Sequence, residues 1–323
     1  MDLKGKKILF IAPKFFDYEI EIKKEFERLG GDVAFFPEKP YSFYYRVLKQ
    51  ISAKFQKSIE INYLNSILSN VENFDIFFLI RGEIITEIFL KTLKQKSPKA
   101  IFIMYQWDSI KNNSNYVYLL NYFDRVSTFD MVDAQRLNIN YLPLFYIKKY
   151  KNLELNDDKK YDIVFFGSYH GDRLEILKKV SKECERLGLD FKYHLFIPKL
   201  TLLKRVVFLK IKLQDLKYLS TKSVSINEIL ESYKFTKAVL DIENPGQNGL
   251  TMRTFEVLGA ALKLITTNKR ILNENIYDEA NILLIDRNEL YLDEFFLKRT
   301  NIMNETVAKY DISHWLLSNL YRC

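Results

Sequence analysis

The stretch "NPGQNGLTMRTFEVLGAALKLITTN", residues 244–268, follows the apolar run "KAVLDIE" (237–243). Pro245 and Gly246 mark a turn. Thr251 stands where a helix N-cap is favoured, just ahead of a periodic apolar run. The reading is therefore strand ("KAVLDIE"), turn ("NPGQNG"), helix ("LTMRTFEVLGAAL"), strand ("KLITTN"). A turn that leads from a strand into a helix leaves backbone N–H groups and a positive dipole end facing solvent, which suits phosphate. Arg253 and Glu256 lie three apart and share one helix face. A cation beside phosphates and a carboxylate for ribose hydroxyls fits that spacing. An ordinary capped helix with an Arg–Glu surface pair fits it equally, and the residues alone leave both open.

Working outward, the same alternation fills the chain. In the first half, "KKILFIAP" (6–13), "GDVAFFP" (31–37), "FDIFFLIRG" (74–82), "KAIFIMYQWD" (99–108), "RVSTFD" (125–130) and "INYLPLFY" (139–146) are separated by helical stretches. Residues 148–160, "KKYKNLELNDDKK", are polar and without period, which reads as a linker. The pattern restarts with "YDIVFFGS" (161–168), "DFKYHLFIP" (190–198), the stretch above and "NILLID" (281–286). Short apolar strands between helices predict parallel sheets covered on both faces. The expected fold is α/β, with two Rossmann-like domains whose sheets face a cleft. They span 1–150 and 161–300, and a C-terminal helix in 301–323 packs back on the first.

The 323 residues can fill two cores, and Cys184 and Cys323 are too few for a disulfide scaffold. The start has no signal-peptide cleavage pattern, and no stretch reaches the length of a membrane span. A cytoplasmic protein is expected. The net charge of +8 is concentrated in two segments. Residues 39–58 carry Lys39, Arg46, Lys49, Lys54 and Lys57 with no acid, and residues 199–222 carry seven Lys and Arg against Asp215. Such localised charge implies an anionic partner. Residues 44–58 form an amphipathic pattern, with Tyr44, Val47, Leu48, Ile51 and Phe55 on one face, which reads as a core-facing helix or one lying on an anionic membrane. In 199–222 the apolar residues fall all round, as in a helix buried in protein or in a lipid interface. A nucleic-acid partner is not expected, because the aromatics lie on the core face of 44–58.

Ligands of open parallel sheets sit beyond the carboxyl ends of the strands. That rule selects Arg81, Gly82 and Glu83 after one strand, and "YQWDS" (105–109) after another, where Asp108 or Glu83 can serve as general base. It also selects Gly167, Ser168, His170 and Arg173 in "GSYHGDR", and the turn Gln247, Asn248, Gly249, Leu250, Thr251. Capping and surface ion pairing are the plainer roles for these same residues. The three histidines and two cysteines lack metal-ligand spacing, and the first turn, "APKFFDYE", has neither G-x-G-x-x-G nor a Walker lysine. No metal or bound cofactor is expected.

Taken together, "YQWDS", "FDRVSTFDMVDA", "YLPLFY", "DIVFFGSYHGDR" and "DIENPGQNGLTMRTFEVLGAALKLITTN" resemble bacterial glycosyltransferases of the GT-B fold, nearest the CgeB-like and capsule or lipopolysaccharide biosynthesis group. The resemblance implies a nucleotide-sugar donor held by the second domain and a glycan or lipid-linked acceptor held by the first. It implies Glu256 for the ribose, and Arg253, Thr251, Gly249 and Arg173 for the diphosphate. Retaining members carry a second glutamate eight residues before the ribose-binding one. Asn248 stands there instead, which favours inversion with Glu83 or Asp108 as base. A non-catalytic nucleotide-sugar or glycan-binding protein of the same fold is the alternative.

Overall fold

The computed structural model describes residues 3–43, 45, 52–246, 248–299 and 305–321. The chain divides into two compact units, Met1–Pro143 with Ile312–Cys323, and Leu144–Asp311. Residues 1–2, 44, 46–51, 247, 300–304 and 322–323 lie outside the described residues, so about half of the expected 44–58 helix does too.

Unit 1 holds strands β1 (Lys7–Ala12), β2 (Asp32–Pro37), β3 (Ile76–Ile80), β4 (Ile101–Gln106), β5 (Arg125–Thr128) and β6 (Asn140–Tyr141). They form one parallel sheet in the order β2-β1-β3-β4-β5-β6. Because side chains alternate along a strand, each strand serves both faces. Leu9, Ile11, Phe77, Leu79, Phe102 and Met104 pack under α2 (Ala53–Asn70) and α3 (Glu87–Lys96). Phe10 and Phe78 turn the other way, where Phe26 of α1 (Tyr18–Arg28) meets both rings. Trp315 covers that same face, 6.0 Å from the Phe78 ring and 4.8 Å from Tyr105. This explains the unbroken apolar runs of the first half.

Unit 2 repeats the plan. Strands β7 (Tyr161–Ser168), β8 (Phe191–Phe196), β9 (Leu219–Ser220), β10 (Thr236–Asp241), β11 (Lys263–Thr266) and β12 (Ile282–Leu284) pair in parallel, in the order β12-β11-β10-β7-β8-β9. Between α4 (Met131–Leu137) of unit 1 and β7 comes one short helical turn, α5 (Lys148–Lys151), within the stretch read as a linker; its Tyr150 is buried. Helix α6 (Arg173–Leu187) covers one face of the sheet through Leu174, Leu177 and Val180. The other face takes α8 (Ile226–Lys234) and α9 (Met252–Gly259).

The structure narrows two open readings and adds details the sequence did not signal. Phe55 is exposed rather than core-facing, because α2 buries Leu64 and Ile67 instead. Of the two readings of 199–222, burial in protein does not hold for α7 (Lys199–Val207), which has no fully buried residue. The short β9 had no sequence signal, since two residues carry no period. The helix after the Pro-Gly turn is shorter than "LTMRTFEVLGAAL", and Ala261, at a φ of 54°, turns the chain from it towards β11.

Gly259 of α9 lies against the Tyr146 ring, where a Cβ would stand 2.4 Å from Cγ. Gly259→Ala is therefore expected to destabilise unit 2 by about 1–3 kcal/mol through overpacking, despite alanine's better helix propensity. A urea melt checks this; unchanged stability would mean that the ring yields.

In each sheet the chain starts centrally and then reverses its direction of growth. The reversal falls between β1 and β3 in unit 1 and between β7 and β10 in unit 2. Crevices that take ligands open beyond the carboxyl ends at such points.

Candidate functional site

In unit 2 the two loops that flank the reversal are held together. Gly171, at a φ of 54°, packs on Pro245, which a Cβ would meet at 3.3 Å. Arg173 heads α6 and donates from Nε to the Ile242 carbonyl (2.7 Å) and from Nη1 to the Ser168 carbonyl (3.1 Å). Among the described residues no carboxylate lies within ion-pair distance of it. Burial, opposed by Asp241 and reinforced by Arg253 and Arg287, pushes its pKa down to about 10. Gly167 leaves room for this guanidinium, since a Cβ there would stand 3.2 Å from Nη1. Arg173 is a half-buried cation short of counter-charge at the place where such sheets bind ligands. His170 beside it has a buried Nδ1 with no hydrogen-bond partner, and burial, then Arg173, hold its pKa down to about 4. A neutral imidazole results.

The Pro-Gly loop is built from beneath. Asp241, the last residue of β10, is buried and accepts from Thr251 Oγ1 (2.6 Å) and Thr254 Oγ1 (3.2 Å). Thr251 caps α9, its hydroxyl accepting from the Thr254 amide. Buried Asn268 donates to the Gly249 carbonyl (3.1 Å), and Leu250 is buried as well. Asn248 accepts from Arg270 at 3.4 Å. The start of α9 is thus fixed by side chains that a ligand need not supply.

Arg253 and Glu256 do pair, at 3.3 Å, but in the interior rather than on the surface. Arg253 Nη1 donates to the Tyr233 hydroxyl (2.6 Å) and Nη2 to the Phe166 carbonyl (3.2 Å). Tyr150 hydrogen-bonds Glu256, and burial followed by Glu256 raises the phenol's pKa. Arg287 joins Asp172 (2.6 Å) to Glu243 (2.6 Å), which ties the loop after β12 to the other two. Tyr150, Tyr233, Asp241, Glu243 and Arg287 were not singled out from sequence. Each is an ordinary residue there, made special by partners far along the chain.

In unit 1 the carboxyl ends of β2, β3 and β4 bring Glu38, Arg81, Glu83 and Asp108 together. Arg81 Nη1 reaches Glu38 (2.9 Å) and Glu83 (3.0 Å), and Nε reaches Asp108 (2.7 Å); Lys39 also bonds Glu83. Arg81 and Gly82 both have positive φ, 71° and 72°, a conformation that costs a non-glycine residue about 1–2 kcal/mol. Gln106 (2.9 Å) and Asn113 (3.0 Å) hold it by donating to the Arg81 carbonyl. Burial raises the pKa of both Glu38 and Asp108, with Arg81 opposing. Glu38, missed in the sequence, is fully buried, whereas the Asp108 side chain keeps 31% of its exposure. A reachable carboxylate held above the usual range suits general-base work near neutral pH. Glu83 is tied to two cations, so Asp108 is the better placed of the two. Among the described residues, no group of His, Cys, Asp and Glu is arranged to hold a metal ion.

No protein-family model matches this chain, and no curated protein matches it in sequence. Solved structures match over nearly its whole length. HepE from Anabaena, in complex with UDP-glucose, superposes with a TM-score of 0.60 at 9% identity, covering 98% of both chains. The lipopolysaccharide outer core galactosyltransferase WaaB gives 0.56 at 12% identity, covering 97% of this chain and 99% of that one. A UDP-GlcNAc 2-epimerase from Methanocaldococcus jannaschii, bound to UDP-GlcNAc and UDP, gives 0.58 at 12%, with 97% and 99% covered. The fold is that of the GT-B glycosyltransferases. An epimerase shares it, so the reaction has to be read from side chains.

Proposed function

We propose that this protein is a metal-independent glycosyltransferase that moves a sugar, hexosyl or related, from a nucleotide-sugar donor to a glycan or lipid-linked acceptor. The setting proposed is assembly of bacterial surface polysaccharide or lipopolysaccharide, at an anionic membrane surface. The observation that carries the donor site is Arg173, a cation without a carboxylate at the reversal point of unit 2. A diphosphate there gains a charge-assisted partner and the amide groups at the start of α9. HepE, with the same fold, binds UDP-glucose, which supports a nucleotide-sugar as the ligand. Gly167, Ser168, His170, Asn248, Gly249, Leu250 and Thr251 frame this loop pair, with Gln247 in the same turn. Glu256 takes ribose hydroxyls, and Arg253 holds Glu256 in place.

In unit 1, Asp108 takes the proton of the acceptor hydroxyl as it attacks the sugar carbon, and the nucleoside diphosphate leaves. This is inversion, in line with Asn248 at the position where retaining members carry glutamate.

A screen of nucleotide-sugars by thermal shift tests the donor site, since a ligand bound only by the folded state raises Tm. Product analysis on the hit then tests the reaction. Transfer or slow donor hydrolysis supports the proposal; binding with neither leaves a non-catalytic binder, and conversion of the donor to its epimer assigns the other reaction found on this fold.

The pH profile tests the base. Asp108 acts deprotonated, so kcat/KM is expected to fall as pH falls through a pKa above the ordinary carboxylate range. Arg81 lowers that pKa, so Arg81→Gln should move the acid limb to higher pH, while Arg81→Lys should move it less. A limb that stays in place in both variants would exclude Asp108.

A further inference from the structure

Helix α7 and the turn after it expose six large apolar side chains within fourteen residues. Leu200, Leu203 and Val207 form one stripe at helical spacing, and Phe208, Leu209 and Leu213 are exposed just after it; the least exposed of the six, Leu203, keeps 61% and Leu209 keeps 88%. The inward side is thin: Leu202 and Val206 are half-buried, and Ile211 is the buried anchor beyond them. Leu209 has a φ of 53°, a left-handed conformation unusual for a leucine, and its exposed side chain gains no packing in return. Six large exposed apolar side chains in so short a segment are more than scattered single residues explain.

The charge around this stripe identifies what covers it. Lys199 and Lys204 stand on either side of it in the helical rotation, and Arg205, Lys210, Lys212, Lys217 and Lys222 follow in the same segment. Among the described residues none of these seven has an ion-pair partner. The segment's one acid, Asp215, is buried and held by Lys178 at 3.0 Å, so it does not neutralise the face. An apolar stripe flanked by unpaired cations matches an interface that is hydrocarbon below and anionic at head-group level. It does not match nucleic acid, which would leave six aliphatic and aromatic side chains in water. We infer that α7 and the turn 208–213 insert shallowly into an anionic phospholipid surface and hold unit 2 against it. The inference deepens the membrane part of the proposed function and does not depend on the reaction.

Co-sedimentation of the full chain with vesicles tests it, using phosphatidylcholine alone and phosphatidylcholine mixed with phosphatidylglycerol. Binding is expected to the mixed vesicles only, and to weaken as salt rises. A Lys near such a surface contributes about fivefold to the binding constant, so Lys199→Gln/Lys204→Gln should lose roughly 25- to 30-fold. Leu203→Ser/Phe208→Ser/Leu209→Ser should lose at least as much. All five positions are exposed, so an unchanged melting curve and unchanged nucleotide binding should accompany both losses. Equal binding to neutral vesicles, or variants that bind like the parent, would overturn the inference. So would failure to bind vesicles together with self-association that the serine variant abolishes, because the face would then pack on a second copy. Loss of vesicle binding with donor binding intact separates this inference from the donor site.

Discussion

Asp108→Asn is expected to lower the rate of sugar transfer by about 10²–10⁴ while leaving donor affinity nearly unchanged. Asparagine keeps the shape but offers no charge to Arg81, whose Nε lies 2.7 Å from the carboxylate, and it cannot take a proton. The loss is thus confined to the step in which the acceptor hydroxyl is deprotonated. Glu83→Gln should cost less, because the Glu83 carboxylate already serves Lys39 and Arg81. Single-turnover rates with saturating donor make the comparison. If Glu83→Gln is the crippled variant and Asp108→Asn is not, the roles are exchanged. If both turn over normally, the base lies elsewhere or the reaction retains configuration.

Glu256→Ala should destabilise unit 2 by about 3–5 kcal/mol, the usual consequence of leaving one member of a buried ion pair alone. Arg253 would keep Tyr233 and the Phe166 carbonyl but lose its carboxylate, inside a site where its side chain is only 20% exposed. Arg253→Met/Glu256→Leu should recover much of that stability, since a well-packed apolar pair often replaces a buried ionic one without loss. It should not recover nucleoside binding, because the acceptor for ribose hydroxyls is gone. Urea midpoints combined with nucleoside affinities separate the two effects. A double variant that folds well and binds nucleoside normally would make the pair purely structural.

That outcome also marks how far the residues could be read without the fold. Strand positions came through almost whole, because parallel strands buried on both faces must be apolar throughout, as in "KKILFIAP" and "FDIFFLIRG". Thr251 was legible as a cap, and the loops at the carboxyl ends of β3, β4, β7 and β10 follow from topology alone. What spacing could not reveal is depth. Arg253 and Glu256 share a helix face in any environment, and only Tyr233 and Tyr150, 20 residues before Arg253 and over 100 before Glu256 respectively, make the pair internal. Glu38 was invisible for the same reason: a polar residue after a strand is usually solvated, and only Arg81, the Glu83 amide and Lys39 make its burial tolerable. The 199–222 segment left two readings open, burial in protein or in a lipid interface, because apolar residues all round a helix fit both; only the exposed side of α7 sets the first aside.

The central claim is that the loops after β7 and β10 bind a nucleoside diphosphate through Arg173. Calorimetry with a nucleoside and its diphosphate, on the parent chain and on Arg173→Gln, tests it most directly. Hydrogen bonds to charged groups are worth about 1.5–3 kcal/mol, so the variant should bind the diphosphate roughly ten- to hundredfold more weakly while the nucleoside affinity stays the same. Equal affinities of parent and variant for the diphosphate, or an equal loss for both ligands, would contradict it.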